Sequence, residues 1–118
     1  METNKHYPFT LGNNDDVYSV SADLESDDLY NRYYTFFQKH DYEGNGYCWE
    51  GHITQILEKL DEDLLSEIEF DPEAGGFYAY FPSEETQLKF AALLSPIFSD
   101  LNKLEEWVLQ ADRDRVDD

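Results

Sequence analysis

Basic side chains are scarce in this sequence. Eight lysines and arginines stand against 27 aspartates and glutamates, for a net charge of −19. A chain so short of cations repels a phosphate backbone, which argues against direct binding to nucleic acid or to an anionic membrane. Long apolar runs are missing as well. Nothing approaches the ~18 residues of a membrane-spanning helix, and the opening METNKHYPFTLGNNDD has no apolar stretch of signal-peptide length. A single cysteine, Cys48, excludes an internal disulfide. These absences point to a soluble, reduced, cytoplasmic protein.

No Pro/Gly/Ser linker and no low-complexity block interrupts the chain, so residues 1–118 read as one domain, with an acidic tail over 112–118 that is expected to fray. Aromatic residues, in contrast, are plentiful at 16% of the chain. Disordered acidic chains are poor in aromatics, so most of this one is expected to fold.

The hydrophobic pattern gives two similar halves, each strand, strand, helix, helix. Tyr7 to Leu11 reads as a short strand held at an edge by Pro8, Gly12 to Asp16 as a turn, and Val17 to Ala22 as a half-buried strand of period two. Ser26 or Asp27 caps a helix to about Lys39, with Leu29, Tyr33, Phe36 and Phe37 on its apolar stripe. After the glycine-bearing break Asp41 to Gly46, a second helix runs from about Tyr47 to Leu60. Trp49, Ile53, Ile56, Leu57 and Leu60 share one of its faces. Ser66 to Asp71 and Phe77 to Phe81 form a hairpin across Pro72 to Gly76, whose two glycines are expected to supply positive φ. Four aromatics in Phe77 to Phe81 suggest that both faces of that strand are covered. Ser83 caps a third helix with Leu88, Ala91, Ala92, Leu94 and Phe98 buried and a break at Pro96. Asp100 opens a fourth, with Leu101, Leu104, Val108 and Ala111 on its stripe. Strand pairs alternating with helix pairs give an α+β fold: a single antiparallel sheet of about four strands with helices packed on one face. The strand order is left open.

No catalytic constellation emerges. Cys48 has His52 one helical turn away, but a cysteine beside Trp49 on a packed helix reads as a small core residue. His6, His40, His52 and Cys48 are too scattered for zinc. Asp41-Tyr42-Glu43-Gly44-Asn45-Gly46 starts like an EF-hand loop. Its twelfth position is His52 rather than a bidentate glutamate, and the helix starts too early, so the segment reads as a glycine turn. Gly44-Asn45-Gly46 is no dinucleotide fingerprint, since Trp49 stands where a third glycine belongs. No metal and no cofactor is expected.

The acids have a more informative distribution. Glu58, Asp61, Glu62, Asp63, Glu67, Glu69, Asp71 and Glu73 fall within sixteen residues that hold one cation, Lys59. They lie at the end of one helix, in a loop expected to face water and on the outer side of a strand. One contiguous patch is therefore expected, read either as a solvated rim or as a docking face for a basic partner.

Two segments carry a resemblance. GNGYCWE (Gly44 to Glu50) and FDPEAGGFYAYF (Phe70 to Phe81) are similar, in residues and spacing, to the immunity protein 51 family of bacterial polymorphic-toxin systems. The resemblance is best from Gly44 to about Ala111. Cys48 departs from it, standing where the family pattern leads one to expect an acidic residue. The resemblance implies a small cytoplasmic α+β protein, not an enzyme, that binds a cognate toxin and protects the producing cell. Gly44, Asn45, Gly46, Trp49, Glu50, Asp71, Pro72, Gly75 and Gly76 then read as structural motif residues, with Trp49 buried against the strand Phe77 to Phe81. A toxin that cuts nucleic acid needs a basic cleft, which an acidic protein can fill. An acidic inhibitor of a housekeeping ribonuclease is the alternative, and an enzyme using carboxylates in an unrecognised way is a third reading.

Overall fold

The computed structural model describes residues 5–116. Four strands, β1 (Thr10–Asn14), β2 (Val17–Asp23), β3 (Glu69–Phe70) and β4 (Gly76–Phe81), form one antiparallel sheet in the order β1-β2-β4-β3. The two hairpins lie side by side, joined where β2 pairs with β4, Val20 opposite Ala79 and Ala22 opposite Phe77. Five helices among the described residues complete the α+β fold. Helix α1 runs through Asp27–Leu29, a π-helical turn Tyr30–Tyr34 and Thr35–Lys39. The others are α2 (Gly46–Leu60), the short α3 (Glu62–Leu65), α4 (Glu84–Phe98) and α5 (Leu101–Gln110).

Sheet and helices meet on one face. Val20, Ala22, Phe77, Ala79 and Phe81 are buried, while the alternate residues Ser19, Ser21, Tyr78 and Tyr80 are half-exposed. Strand β4 is thus covered on one side only, although four of the residues from Phe77 to Phe81 are aromatic. Tyrosine tolerates a half-wet position because its ring packs while its hydroxyl is solvated.

Caps define the helix starts. Ser26 accepts from the Leu29 N–H, Asn45 from Cys48, Ser83 from Thr86 and Asp100 from Asn102 and Lys103. The apolar stripe of α1 is buried as the spacing predicts, at Leu29, Tyr33, Phe36 and Phe37. Trp49 sits at the centre of the core with no exposed surface. Its ring lies 4.8 Å from Phe98, 5.0 Å from Tyr33, 5.9 Å from Phe9 and 6.3 Å from Phe77, so one side chain touches the N-terminal segment, α1, α4 and β4. Among the described residues its indole N–H has no hydrogen-bond acceptor.

The sequence expectations need correction at several points. Tyr7 to Phe9 is not strand: a turn closed by the Phe9 N–H on the His6 carbonyl buries Phe9, and β1 begins at Thr10. The first hairpin turn narrows to Asp15 and Asp16, with Asp15 at φ 57°, a conformation aspartate tolerates. Leu60 is exposed, because it is the last residue of α2, which Asp61 terminates. The strand expected over Ser66 to Asp71 shrinks to Glu69–Phe70, since α3 and the turn bonds Glu67 to Leu64 and Ile68 to Leu65 occupy the preceding backbone.

Helix α4 passes through Pro96 unbroken. Proline deprives the carbonyl four residues back of its bond, here that of Ala92, which lies on the exposed side where water can replace it. Leu88 and Ala92 are exposed, and Gln87, Phe90, Ala91, Leu94 and Phe98 face inward instead. Gln87 earns its buried place by donating to the carbonyls of Gly12 and Ser19, at 2.9 and 2.8 Å. The tail is docked rather than frayed as far as Val116. Arg113 lies 4.1 Å over the Tyr42 ring and donates to the His40 and Asp41 carbonyls. Gln55 and Asp112 exchange two hydrogen bonds, and Val116 is buried against Gly51. Residues 117 and 118 lie outside the described residues.

Positive φ among the described glycines occurs at Gly44, not at Gly75 or Gly76. The Gly76 carbonyl accepts from Glu73 across the turn, and the Glu73 carbonyl accepts from the Gly46 N–H at 3.1 Å. A Cβ on Gly46 would lie 2.1 Å from the Gly76 oxygen and 2.2 Å from the Glu73 oxygen. The start of α2 therefore rests directly on the β3–β4 turn, and only glycine permits it.

Two stability predictions follow from this packing. Trp49→Ala should cost about 3–5 kcal/mol in urea unfolding; Trp49→Phe should cost clearly less, because no hydrogen bond is lost with the indole. Gly46→Ala should cost about 3 kcal/mol, since rigid backbone blocks the methyl. Gly75→Ala meets only the mobile end of Glu25 and should cost less than about 1 kcal/mol. Equal losses at the two glycines would contradict the close approach.

Candidate functional site

The eight acids singled out in the sequence do not act alike. Glu58, on α2, is paired with Arg115, whose guanidinium holds the Glu58 carboxyl below its usual range. Asp61 is half-buried and accepts from the Leu64 N–H at 3.1 Å, so it caps α3 rather than facing water. Glu62 and Asp63 are exposed in the first turn of α3, where the helix dipole favours negative charge. Asp71 is exposed, with its N–H bonded to the Tyr78 carbonyl.

Three of the eight instead reach the outward face of the sheet. Glu67 and Glu69 line an open groove of about 520 Å³ with Asp16, Val17, Tyr80 and Pro82. At the other end, Glu73 stands by Tyr78 together with Asp23 and Glu25. Burial first, and then these carboxylates and the neighbouring Tyr80, raise the Tyr78 hydroxyl above its ordinary pKa. Between the two acidic ends run cross-strand rows of small and aromatic side chains: Thr10, Ser21 and Tyr78 in one, Gly12, Ser19, Tyr80 and Glu69 in the next. Asp16, Asp23 and Glu25 escape sequence reasoning because they lie in the first half of the chain. Only the β2–β4 pairing brings them beside the second hairpin. The signal available in the sequence was their position at the two ends of one predicted strand.

The two motif segments meet at a second feature. Gly44, Asn45, Ala74 and Gly75 line a cleft of about 310 Å³ that opens against α1 and is flanked by Glu25 and Glu43. Six of the motif residues have a local mechanical reason. Gly44 takes φ 77° with the Phe37 Cβ 3.3 Å from where its own would be. Asn45 caps α2 by accepting from the Cys48 N–H at 2.8 Å. Gly46 admits the turn, and Trp49 fills the core. Gly75 leaves room for the Glu25 side chain, and Gly76 for the Tyr78 ring. Pro72 and Glu50 are half-buried. Cys48, where the family pattern suggested an acid, is fully buried, a place in which a carboxylate would be costly.

The cleft wall on α1 is the π-helical turn. A π turn holds more than four residues, which brings positions i and i+4 almost above one another. Tyr30 and Tyr34 are exposed and stack there with centroids 4.7 Å apart and planes 11° from parallel. Tyr33, on the buried side, donates to the Phe98 carbonyl at 2.6 Å, and burial raises its pKa strongly, so it stays a donor.

Among the described residues no helix is long and apolar enough to cross a membrane, and no cluster of His, Cys, Asp and Glu is arranged to hold a metal. Separating the structural acids from the surface ones yields a direct test. Asp61→Ala should destabilise the protein by about 1 kcal/mol through the lost cap, whereas Glu62→Ala, which loses only an exposed charge at the helix start, should cost less than about 0.5 kcal/mol.

No curated protein and no solved structure matches the chain. The sequence profile of immunity protein 51 matches residues 9–113, from the buried Phe9 to the docked Arg113, and so takes in the sheet, the five helices and both motif segments. The chain belongs to the immunity protein 51 family, whose members are non-enzymatic proteins that neutralise a cognate toxin.

Proposed function

We propose that this protein neutralises, in the cytoplasm of the producing cell, a nuclease-type toxin with a basic cleft, and that it binds through the acidic, outward face of its sheet. The observation that carries this reading is the pair of carboxylate groups at the two ends of that face, Asp16 with Glu67 and Glu69, and Asp23 with Glu25 and Glu73. Between them the face offers hydroxyls and two tyrosine rings, side chains that give a partner contact area and hydrogen bonds at little entropic cost. Glu62, Asp63 and Asp71 extend the negative field beyond the face, while Glu58 and Asp61 serve the fold.

Three arginines and five lysines face 27 acids. All three arginines are held by internal contacts. Arg32 donates to the Ser99 carbonyl, Arg113 to the His40 and Asp41 carbonyls, and Arg115 pairs with Glu58. Like charges held together repel one another, and a basic partner relieves that repulsion on docking. A cleft that binds the phosphates of nucleic acid is a partner of this kind, and filling it denies access to the substrate.

Binding to the cognate toxin should be electrostatically steered. Association should slow steeply between 0.1 M and 1 M salt, as the Debye length falls from ~10 to ~3 Å. Replacing Glu62, Glu67 and Glu69 together by lysine should lower the association rate about tenfold or more at low salt, with the melting temperature nearly unchanged. Stopped-flow kinetics across a salt series reads both effects. A rate indifferent to salt and to the triple reversal would overturn the acidic-face reading.

A further inference from the structure

We infer that the cleft between the π-helical turn of α1 and the two motif segments is a receptor for a single arginine side chain presented by the partner. Its chemistry fits a flat cation. One wall is the stacked pair Tyr30 and Tyr34, whose ring faces attract positive charge. Glu25 and Glu43 are among the lining residues, and no basic side chain lines the cleft among the described residues. Gly44 packs against Phe37 and Tyr34 of α1, and Ala74 and Gly75 bring the β3–β4 turn to the other side. The Glu25 carboxyl carbon lies only 2.7 Å from where a Gly75 Cβ would be, which places that carboxylate over the turn at the edge of the cleft.

Arginine fits these features better than lysine. The guanidinium is planar, stacks on aromatic faces, forms paired bonds to a carboxylate and gives up water more readily than a compact ammonium. A neutral ligand would gain nothing from the negative charge of the cleft, and an anion would be repelled by it. Glu25 also belongs to the carboxylate group around Tyr78. An arginine seated in the cleft would therefore lie at the edge of the acidic sheet face and fix the orientation of a partner drawn in by the wider field. The inference rests on the reading of this protein as a binder of a basic partner, and its test needs no partner protein.

The test is an NMR titration of the full-length, isotope-labelled protein with N-acetyl-arginine methylamide in about 0.15 M salt, which suppresses diffuse attraction to the acidic surface. The lysine and citrulline analogues serve as controls. Citrulline keeps the shape of arginine without its charge. Saturable shifts at Gly44, Asn45, Ala74 and Gly75 and at the Tyr30 and Tyr34 rings are expected with arginine, in the millimolar range usual for one side chain. Lysine should bind several-fold more weakly and citrulline not at all. Glu25→Gln and Tyr34→Leu, both at exposed positions, should each weaken arginine binding several-fold without changing the folded spectrum elsewhere. Arginine shifts that are absent, that centre on Glu67 and Glu69, that are matched by lysine or citrulline, or that survive both substitutions would overturn the inference. Salt-insensitive toxin association combined with saturable arginine binding would count against the acidic face and leave the cleft standing.

Discussion

The amino end of α2 lies on the bare backbone of the β3–β4 turn, and the rest of the structure depends on that approach. The Gly46 N–H bonds to the Glu73 carbonyl, with no space for a methyl group between helix and turn. This contact sets both the position and the angle at which α2 leaves the sheet. One turn further on, Trp49 then reaches the middle of the core, where rings from the N-terminal segment, α1, β4 and α4 close around it. Interiors are packed as densely as organic crystals, so a shift at Gly46 would be passed to every one of these rings. The same contact closes the floor of the cleft, because the turn that receives Gly46 also carries Ala74 and Gly75.

A chain with 27 acids needs somewhere to put them, and the fold uses several devices. Asp61, Asp100 and Asp112 cap helical turns, and Asp27, Asp28, Glu84 and Glu85 sit in first turns where the helix dipole is favourable. The arginines do little to balance the remaining carboxylates, since two of the three bind carbonyl oxygens and so hold elements together instead. The consequence is a compact interior with an uncompensated negative exterior. That combination is what the proposed docking of a basic partner would draw on.

Periodicity made much of this fold legible. The stripe Trp49, Ile53, Ile56, Leu57 is buried because α2 repeats every 3.6 residues, and Leu29, Tyr33, Phe36 and Phe37 stay on the buried side although a π-helical turn widens the repeat between Tyr30 and Tyr34. Local chemistry misled at the edges of elements. Tyr7 to Phe9 looks like strand, but a turn buries Phe9. Pro96 looks like a break, but Ala92 faces water. The sequence from Asp112 onward looks frayed, but Arg113 finds an aromatic ring and two carbonyls far away in the chain. Each of these outcomes depends on a neighbour that no local window contains.

The candidate site divides along the same line. The sequence by itself determined the excess of negative charge, the α+β pattern, the caps, and the two glycine-bearing segments that identify the family, since these rest on composition, spacing and short-range bonds. Only the tertiary structure decided which carboxylates stand together. It assigned Glu58 and Asp61 to the fold, joined Asp16 to Glu67 and Glu69, and placed Asp23 and Glu25 beside Glu73. It also turned the expected positive φ of Gly75 and Gly76 into a need for space, and set two motif segments and two stacked tyrosines around one cleft. The physical reason is that cross-strand pairing and helix-on-turn contact join residues tens of positions apart, and their geometry is set by the packing of the whole chain.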